Sequence, residues 1–155
     1  TLGIKGESQM KSVELKKEPN DNFRNWIIEE WKHHNTVDPF YQLKIIKPQD
    51  LTFNDNEEYY KIVYEKQEIG FIGLKVYDDE IYIYRFLIDE KFRGKGIGTE
   101  VLNLIIDRAR CENKDISLDV FEKNEAKKLY ERVGFKNRYT NMVIKVNDNI
   151  EYKER

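Results

Sequence analysis

Three glycines stand close together in a chain that has only eight: Gly94, Gly96 and Gly98. They end the stretch YRFLIDEKFRGKGIG (84–98), in which an apolar run gives way to charge, and an amphipathic pattern typical of a helix follows. Such a turn presents unpaired backbone N–H groups at the positive end of a helix, and glycine lets a phosphate approach without a Cβ in the way. With Arg93 and Lys95 beside it, the turn predicts a site for an anion such as a pyrophosphate.

Two common nucleotide motifs do not fit these glycines. The dinucleotide fingerprint needs G-x-G-x-x-G, and from Gly94 or Gly96 its last glycine falls on Thr99 or Val101. The nucleotide P-loop needs a lysine directly after its last glycine, where this chain has Thr99. From the residues alone, a plain glycine-rich turn between two elements stays open as the alternative.

The surrounding pattern predicts the elements that position this turn. Strands are predicted in five stretches: 12–17, 59–66, 69–77, 80–89 and 115–121. Helices are predicted in three places: over the apolar repeat of Phe23, Ile27 and Trp31, directly after the glycines, and over 124–134. A further short helix between Pro39 and Pro48 is left open, and one or two strands are predicted in 135–147. This order predicts a mixed α/β domain with an antiparallel part and a parallel crossover.

Length and composition predict a single globular domain over 10–155. The 155 residues are 39% hydrophobic and 36% charged, and their net charge of −2 lacks the basic excess typical of nucleic-acid-binding proteins. Residues 1–9 have little apolar period and are predicted to be a disordered tail or an expression remnant. The single Cys111, the absence of a signal-peptide pattern and the absence of a long apolar run predict a cytoplasmic protein without membrane contacts.

Two stretches together resemble one family. Arg93-x-x-Gly96-x-Gly98 resembles the pyrophosphate loop, [QR]-x-x-G-x-[GA], of the GNAT superfamily of N-acetyltransferases. NEAKKLYERVGF (124–135) resembles the second signature of that superfamily, which consists of Asn, Ala, Leu-Tyr and Gly-Phe. The resemblance covers 58–146. It implies a mostly antiparallel central sheet with a splayed parallel strand pair and flanking helices, and acetyl-CoA as co-substrate.

The resemblance also implies which residues bind acetyl-CoA. The pyrophosphate would lie on the backbone N–H groups of seven consecutive residues: Arg93, Gly94, Lys95, Gly96, Ile97, Gly98 and Thr99. The backbone around Leu87 and Ile88 would pair with the pantetheine arm like an extra strand. Asn124 would contact the cofactor from the start of its helix.

Tyr130 is the residue that the resemblance places near the sulfur, as the acid for the leaving thiolate. A phenol, with a pKa of about 10, is a weaker acid than a thiol, at about 8.5, so full proton transfer is uphill by roughly 2 kcal/mol. We therefore expect Tyr130 to donate a hydrogen bond as charge develops on sulfur, and a backbone N–H near Ile88 to stabilise the oxyanion. Without the second signature, Tyr130 is an ordinary core tyrosine on an apolar helix face.

The group that neutralises the attacking amine is left between two carboxylates. Deprotonating a lysine-like ammonium costs about 4–5 kcal/mol at pH 7, and a general base supplies that difference. Many histone-type relatives carry a Glu on the fourth strand where this chain has Tyr82, so that base is absent. Asp119 and Glu80 are the candidates, and for each the alternative is a solvated charge at a strand end.

The histidines do not predict a metal site. His33 and His34 are neighbours on a predicted helix, where successive side chains point about 100° apart. No Cys, Asp or Glu stands at ligand spacing from them, so no metal is expected.

These features predict an enzyme that moves the acetyl group of acetyl-CoA to a primary amine by direct attack in a ternary complex. The acceptor, a small-molecule or peptide amine, is left undetermined. YRFLIDEKFRGKG together with LDVFEKN is most similar to bacterial members that acetylate spermine and spermidine. A non-catalytic acyl-CoA-binding sensor is the alternative from a different class, and a homodimer is left open.

Overall fold

The computed structural model describes residues 13–146. The predicted tail at 1–9 therefore lies outside the described residues, as does the last position of the predicted strands at 135–147.

One five-stranded sheet forms the centre of the described chain. Its strands lie side by side in chain order: β1 (Val13–Glu18), β2 (Glu57–Tyr64), β3 (Gln67–Val76), β4 (Glu80–Ile88) and β5 (Asp115–Leu118). The first three pairings are antiparallel, and β4 pairs with β5 in parallel. A parallel pair needs a long crossover, which a helix supplies here. The predicted mixed α/β fold is thereby confirmed.

Helices cover both faces of this sheet. They are α1 (Arg24–Val37), α2 (Ile97–Glu112) and α3 (Ala126–Val133), with shorter 3-10 turns at Asn20–Phe23, Pro48–Asp50 and Glu90–Phe92. The predicted apolar repeat of the first helix is buried, since Phe23, Ile27 and Trp31 pack against Tyr59 and Phe71. Fully burying such a side chain contributes about 1.5–3 kcal/mol.

The other face of the sheet packs against α2 and α3. The buried cluster there includes Ile62, Ile72 and Leu74 from the sheet, with Val101 and Leu102 from α2. β3 contributes to both clusters because successive side chains of a strand point to opposite faces. The central strand therefore joins the two halves of the core.

The region between Pro39 and Pro48 contains no helix, although a short one was left open there. Side chains of α1 hold this segment in an extended form. The Asn35 side chain accepts from the Leu43 N–H at 2.8 Å and donates to the Leu43 carbonyl at 2.9 Å. His34 Nε2 lies 2.8 Å from the Tyr41 carbonyl. Backbone groups that a helix would pair internally are thus paired with α1 instead.

The prediction of one or two strands after Gly134 is wrong for the residues that the structure describes. No strand lies in 135–146, and Met142 and Ile144 are each 87% exposed. Strand propensity expresses how well a side chain fits a pleated, half-buried surface, and these side chains do not lie on one. Within 13–146, no helix combines the length and apolarity that a membrane span requires.

Candidate active site

A cleft opens where β4 and β5 part. Their pairing ends at Ile83 and Leu118, yet β4 continues to Ile88 and stays paired with β3 on its other side. Within 13–146, the outer edge of β4 beyond Ile83 therefore has no strand beside it. An unpaired edge presents N–H and C=O groups to which an extended ligand can bind like an added strand.

The backbone of β4 points alternately into this cleft and towards β3. The Phe86 N–H donates to Glu30 Oε2 at 3.0 Å, and the Ile88 carbonyl accepts from Arg93 Nε at 2.7 Å. The Leu87 carbonyl instead lies against Gly70 of β3, where a Cβ would collide with it. The Leu87 carbonyl is thus directed to β3, and the predicted contact of Leu87 with the pantetheine arm stays a prediction. Phe86 and Ile88 are the residues whose backbone lines the cleft.

A β-bulge decides which β4 side chains face α1. Gly73 pairs with Arg85 and Leu74 with Ile83, which leaves Tyr84 as an extra residue. The bulge moves Arg85 to the side of α1, where its Nη1 lies 3.5 Å from Glu30 Oε1. Without the extra residue, the alternation of the strand would point Arg85 into the apolar core beside Ile83.

Gly94 and Gly96 give the turn at the end of the cleft its conformation. Their φ angles are +75° and +81°, in the left-handed region, and no heavy atom lies within 4 Å of a Cβ built at either position. Glycine suits both positions because their backbone angles are left-handed. The open space beside them leaves the backbone of the turn exposed. Side chains at these angles cost roughly 1–2 kcal/mol.

The turn leaves several amides without a partner inside the helix. No side chain caps α2 at Gly96, and the first turn of the helix closes with the Glu100 N–H on the Gly96 carbonyl at 3.2 Å. The N–H groups of 97–99 consequently point out of the helix end. The Arg93 N–H is bonded to the Glu90 carbonyl at 3.2 Å. The open amides begin after Arg93.

Gly98 has a packing role that the pattern did not reveal. A Cβ there would lie 2.9 Å from Leu129 Cδ2 and 3.7 Å from Ile88 Cδ1. The missing side chain lets α2 approach α3 and the end of β4 closely. The third glycine thus positions the helix whose amides line the turn.

Asn124 and Tyr130 belong to α3 and the turn before it. Asn124 Oδ1 accepts from the Ala126 N–H at 2.9 Å, so this side chain also stabilises the start of the helix. The Tyr130 ring packs edge-on against Phe135, with 5.9 Å between centroids. Burial, followed by the negative charge of Glu30, raises the pKa of Tyr130. The hydroxyl is therefore protonated at neutral pH and can donate a hydrogen bond.

The structure separates the two carboxylates that were candidates for the base. Asp119 follows the last paired residue of β5 at the fork of the cleft, where its Oδ2 accepts from the Tyr82 hydroxyl at 2.9 Å. Glu80 lies at the closed end of the β4–β5 pair and accepts from the Ser117 hydroxyl at 2.5 Å. At about 3.3 Å per residue, it is about 20 Å from Phe86. Glu80 thus lies at the end of the β4–β5 pair away from the cleft, and its role as the base stays an untested prediction.

Sequence reasoning missed the cleft-facing side chains of α1. Glu30 and His34 occupy the same side of α1 as the buried Ile27 and Trp31, one turn apart. The His34 ring lies 4.9 Å from that of Phe121, which follows β5. Polar residues at helical spacing on an otherwise apolar face are the signal that would have found them.

A histidine of α1, His33, is influenced by the charge at the glycine turn. Burial, followed by the positive charge of Arg93, lowers the pKa of His33. Its imidazole is neutral at pH 7 and adds no positive charge at the turn. Within 13–146, no group of three or more His, Cys, Asp or Glu side chains is arranged to hold a metal ion.

An open strand edge that leads to an amide-lined helix start suits an extended ligand that ends in phosphate groups. The sequence profile of the acetyltransferase (GNAT) family matches residues 20–135. The chain belongs to this family and is a GNAT-type N-acetyltransferase, an acyltransferase whose family uses acetyl-CoA.

Among curated relatives, the chain is similar to spermine/spermidine N(1)-acetyltransferase of Bacillus subtilis (strain 168). The two are 37% identical over 112 residues, which cover 61% of this chain and 72% of that protein. Among solved structures, YycN of Bacillus subtilis superposes with a TM-score of 0.65 at 21% identity, covering 88% of this chain and 99% of that one. Ribosomal-protein-alanine N-acetyltransferase of Brucella melitensis biovar Abortus 2308 gives 0.64 at 14% identity, covering 86% and 99%. The two structural likenesses show the fold.

Proposed function

We propose that this chain moves the acetyl group of acetyl-CoA to a primary amine by direct attack within a ternary complex. The observation that carries the proposal is the open outer edge of β4 beyond Ile83, which leads to the open amides at the start of α2. Acetyl-CoA would lie along this edge, with its pyrophosphate at the start of α2. For residues 10–155 we propose one catalytic domain, since the described strands form one sheet.

The glycine turn would hold the phosphates. Backbone N–H groups from Gly94 to Thr99 stand at the positive end of α2, and the Arg93 and Lys95 side chains are exposed beside them. The Ile88 N–H, which alternation directs into the cleft, would bond the thioester carbonyl and stabilise the oxyanion. Asn124 would contact the cofactor where it caps α3.

Tyr130 would assist the departure of the thiolate. Its raised pKa keeps the phenol protonated, so the hydroxyl donates a hydrogen bond without giving up its proton. Partial donation avoids the cost of full transfer from phenol to thiolate, which is roughly 2 kcal/mol for unperturbed groups and increases as the pKa of Tyr130 rises.

Asp119 would deprotonate the amine, either directly or through the Tyr82 hydroxyl, which donates a hydrogen bond to it. It stands at the fork of the cleft, where the family's fourth-strand carboxylate is replaced by Tyr82. As a general base, Asp119 would offset the about 4–5 kcal/mol that deprotonating a lysine-like ammonium costs at pH 7.

A polyamine is the acceptor that we propose first. The support is the 37% identity to a protein described as a spermine/spermidine acetyltransferase, together with the carboxylates Glu30 and Asp119 around the cleft. Carboxylates attract cationic amines by simple Coulomb interaction.

The test measures thiol release from acetyl-CoA over spermidine, spermine, an aminoglycoside, lysine and peptides with varied N-termini. Tyr130→Phe is expected to lower kcat at least tenfold with an unchanged Kd for acetyl-CoA. Tyr139→Phe, at a tyrosine that is 65% exposed, is the matched control and is expected to behave as wild type. Silence over the whole panel with acetyl-CoA still bound would favour the sensor instead.

A further inference from the structure

Helix α1 bridges the two sides of the cleft. On one side, Glu30 Oε2 accepts from the Phe86 N–H of β4 at 3.0 Å. On the other, His34 packs against Phe121 beyond the end of β5, with 4.9 Å between ring centroids. Residues four apart lie on the same helix face, so this face of α1 looks onto the gap between the strands.

We propose that Glu30 is the carboxylate that receives the ammonium group of the acceptor, and that His34, Tyr41 and Phe121 form an aromatic surface along which its alkyl chain lies. This inference rests on the proposed function and adds the group that recognises the amine. The ligand class is a linear alkylamine with at least one cationic nitrogen.

The charge around Glu30 favours a cation. The Glu30 side chain is 18% exposed and lies 3.5 Å from Arg85, which is 6% exposed. The Arg85 Nε donates to the Tyr59 hydroxyl at 3.0 Å, which in turn donates to Glu57 at 2.6 Å. The Glu30 carboxylate is therefore held in place and partly buried at the cleft, where it attracts a cation more strongly than a fully exposed carboxylate would.

The position of Glu30 along β4 suits the reaction. Phe86 and Ile88 are successive cleft-facing residues, so their amides lie about 6.6 Å apart. An ammonium received by Glu30 would therefore arrive near a thioester carbonyl held at Ile88, and its nitrogen would attack only after Asp119 has taken its proton, since an ammonium has no lone pair.

Three aromatic rings form one surface beyond the end of β5. The Tyr41 ring lies 5.4 Å from that of Phe121, which also contacts His34. Methylene groups pack well on ring faces, and an ammonium within about 6 Å of an aromatic centroid gains cation–π attraction. A long amine with a second charge would be held at both ends.

Glu30→Gln tests the charge of Glu30. Glutamine keeps a carbonyl oxygen for the Phe86 N–H but removes the negative charge that faces the buried Arg85, so the Tm of the variant is measured beside its kinetics. The matched control is Glu29→Gln, which removes the same charge from an exposed neighbour on α1. Spermidine is the probe. We expect the KM for spermidine to rise about tenfold or more in Glu30→Gln, while the KM for acetyl-CoA changes by less than about twofold.

Binding is measured on the CoA-loaded protein as well. Spermidine should raise the Tm of wild type and of Glu29→Gln but not of Glu30→Gln. Glu30→Asp, which keeps the charge on a side chain one methylene shorter, should retain part of this response even where Glu30→Gln folds poorly. Wild-type protein without any spermidine response, or a Glu30→Gln response equal to that of Glu29→Gln, would overturn the inference.

The two proposals fail in different ways. If no amine releases thiol but spermidine still raises the Tm through Glu30, the transferase proposal is wrong and the cation site stands. If thiol is released and Glu30→Gln equals its control, the transferase stands and Glu30 merely caps the Phe86 amide.

Discussion

Tyr130 shows how two physical effects suit one side chain to its proposed task. Burial disfavours the charged phenolate, and the negative charge of Glu30 disfavours it further, so the pKa rises above the ordinary 10.0. The hydroxyl remains a hydrogen-bond donor over the range in which the substrate amine loses its proton. A tyrosine that titrated early would lose that donor at alkaline pH.

The pH profile is the first prediction. As pH rises from 7 to 10, kcat is expected to increase while the amine is deprotonated and to show no decline, because Tyr130 keeps its proton throughout. Steady-state rates with saturating acetyl-CoA and amine measure this. A fall in kcat with an apparent pKa below 10, absent from Tyr130→Phe, would show that the tyrosine titrates normally.

Tyr59 provides the second prediction at this scale. Its buried hydroxyl joins Arg85 to Glu57, so Tyr59→Phe leaves two charged groups short of one hydrogen bond each. We expect a loss of about 1–3 kcal/mol in the free energy of unfolding. Urea denaturation measures it, and Tyr77→Phe, at a 46% exposed site, is the control with little expected change. Equal stabilities for the two variants would mean that the buried network contributes nothing.

Among the elements, the glycine turn connects backbone conformation with binding. Gly94 and Gly96 adopt angles that other residues avoid, and the space beside them is open. A substitution at either position therefore strains or rearranges the turn, and the amides at the start of α2 move with it.

Gly96→Ala is expected to cost roughly 1–2 kcal/mol of stability and to raise the KM for acetyl-CoA. Gly134→Ala is the matched control, because Gly134 has a φ of +115° and open space but ends α3 away from the turn. Both variants should be less stable, and only Gly96→Ala should bind acetyl-CoA more weakly. Thermal unfolding and calorimetric titration with acetyl-CoA separate the two effects, and equal affinities would remove the turn from the binding site.

At the scale of the whole molecule, one sheet with a cluster on each face holds these parts in place. Leu102 of α2 is fully buried, whereas Leu104 on the same helix is 42% exposed. Leu102→Ala is expected to cost about 2–5 kcal/mol and Leu104→Ala under about 1 kcal/mol. Chemical denaturation of both proteins measures the difference, and similar losses would place the core elsewhere.

The sequence predicted most of the fold because the signals were local. Apolar repeats marked Phe23, Ile27 and Trp31 as the buried face of a helix, and Gly134 marked the end of another. The secondary structure of two parts was harder to predict: the segment from Pro39 to Pro48 and the residues after Gly134. Their conformation depends on whether a distant surface accepts them, and periodicity carries no information about that.

For the candidate site, the sequence determined the glycine turn, the likeness to acetyltransferases and the nomination of Tyr130. Each follows from residue types at short spacing, since backbone angles and helix starts are local properties. Only the tertiary structure decided that Phe86 rather than Leu87 opens into the cleft, and that Arg85 faces α1. A single extra residue at Tyr84 reverses the faces of the strand, and Glu30 meets Phe86 from 56 positions away. Those facts arise from register and long-range packing, which become defined only when the sheet and its helices assemble.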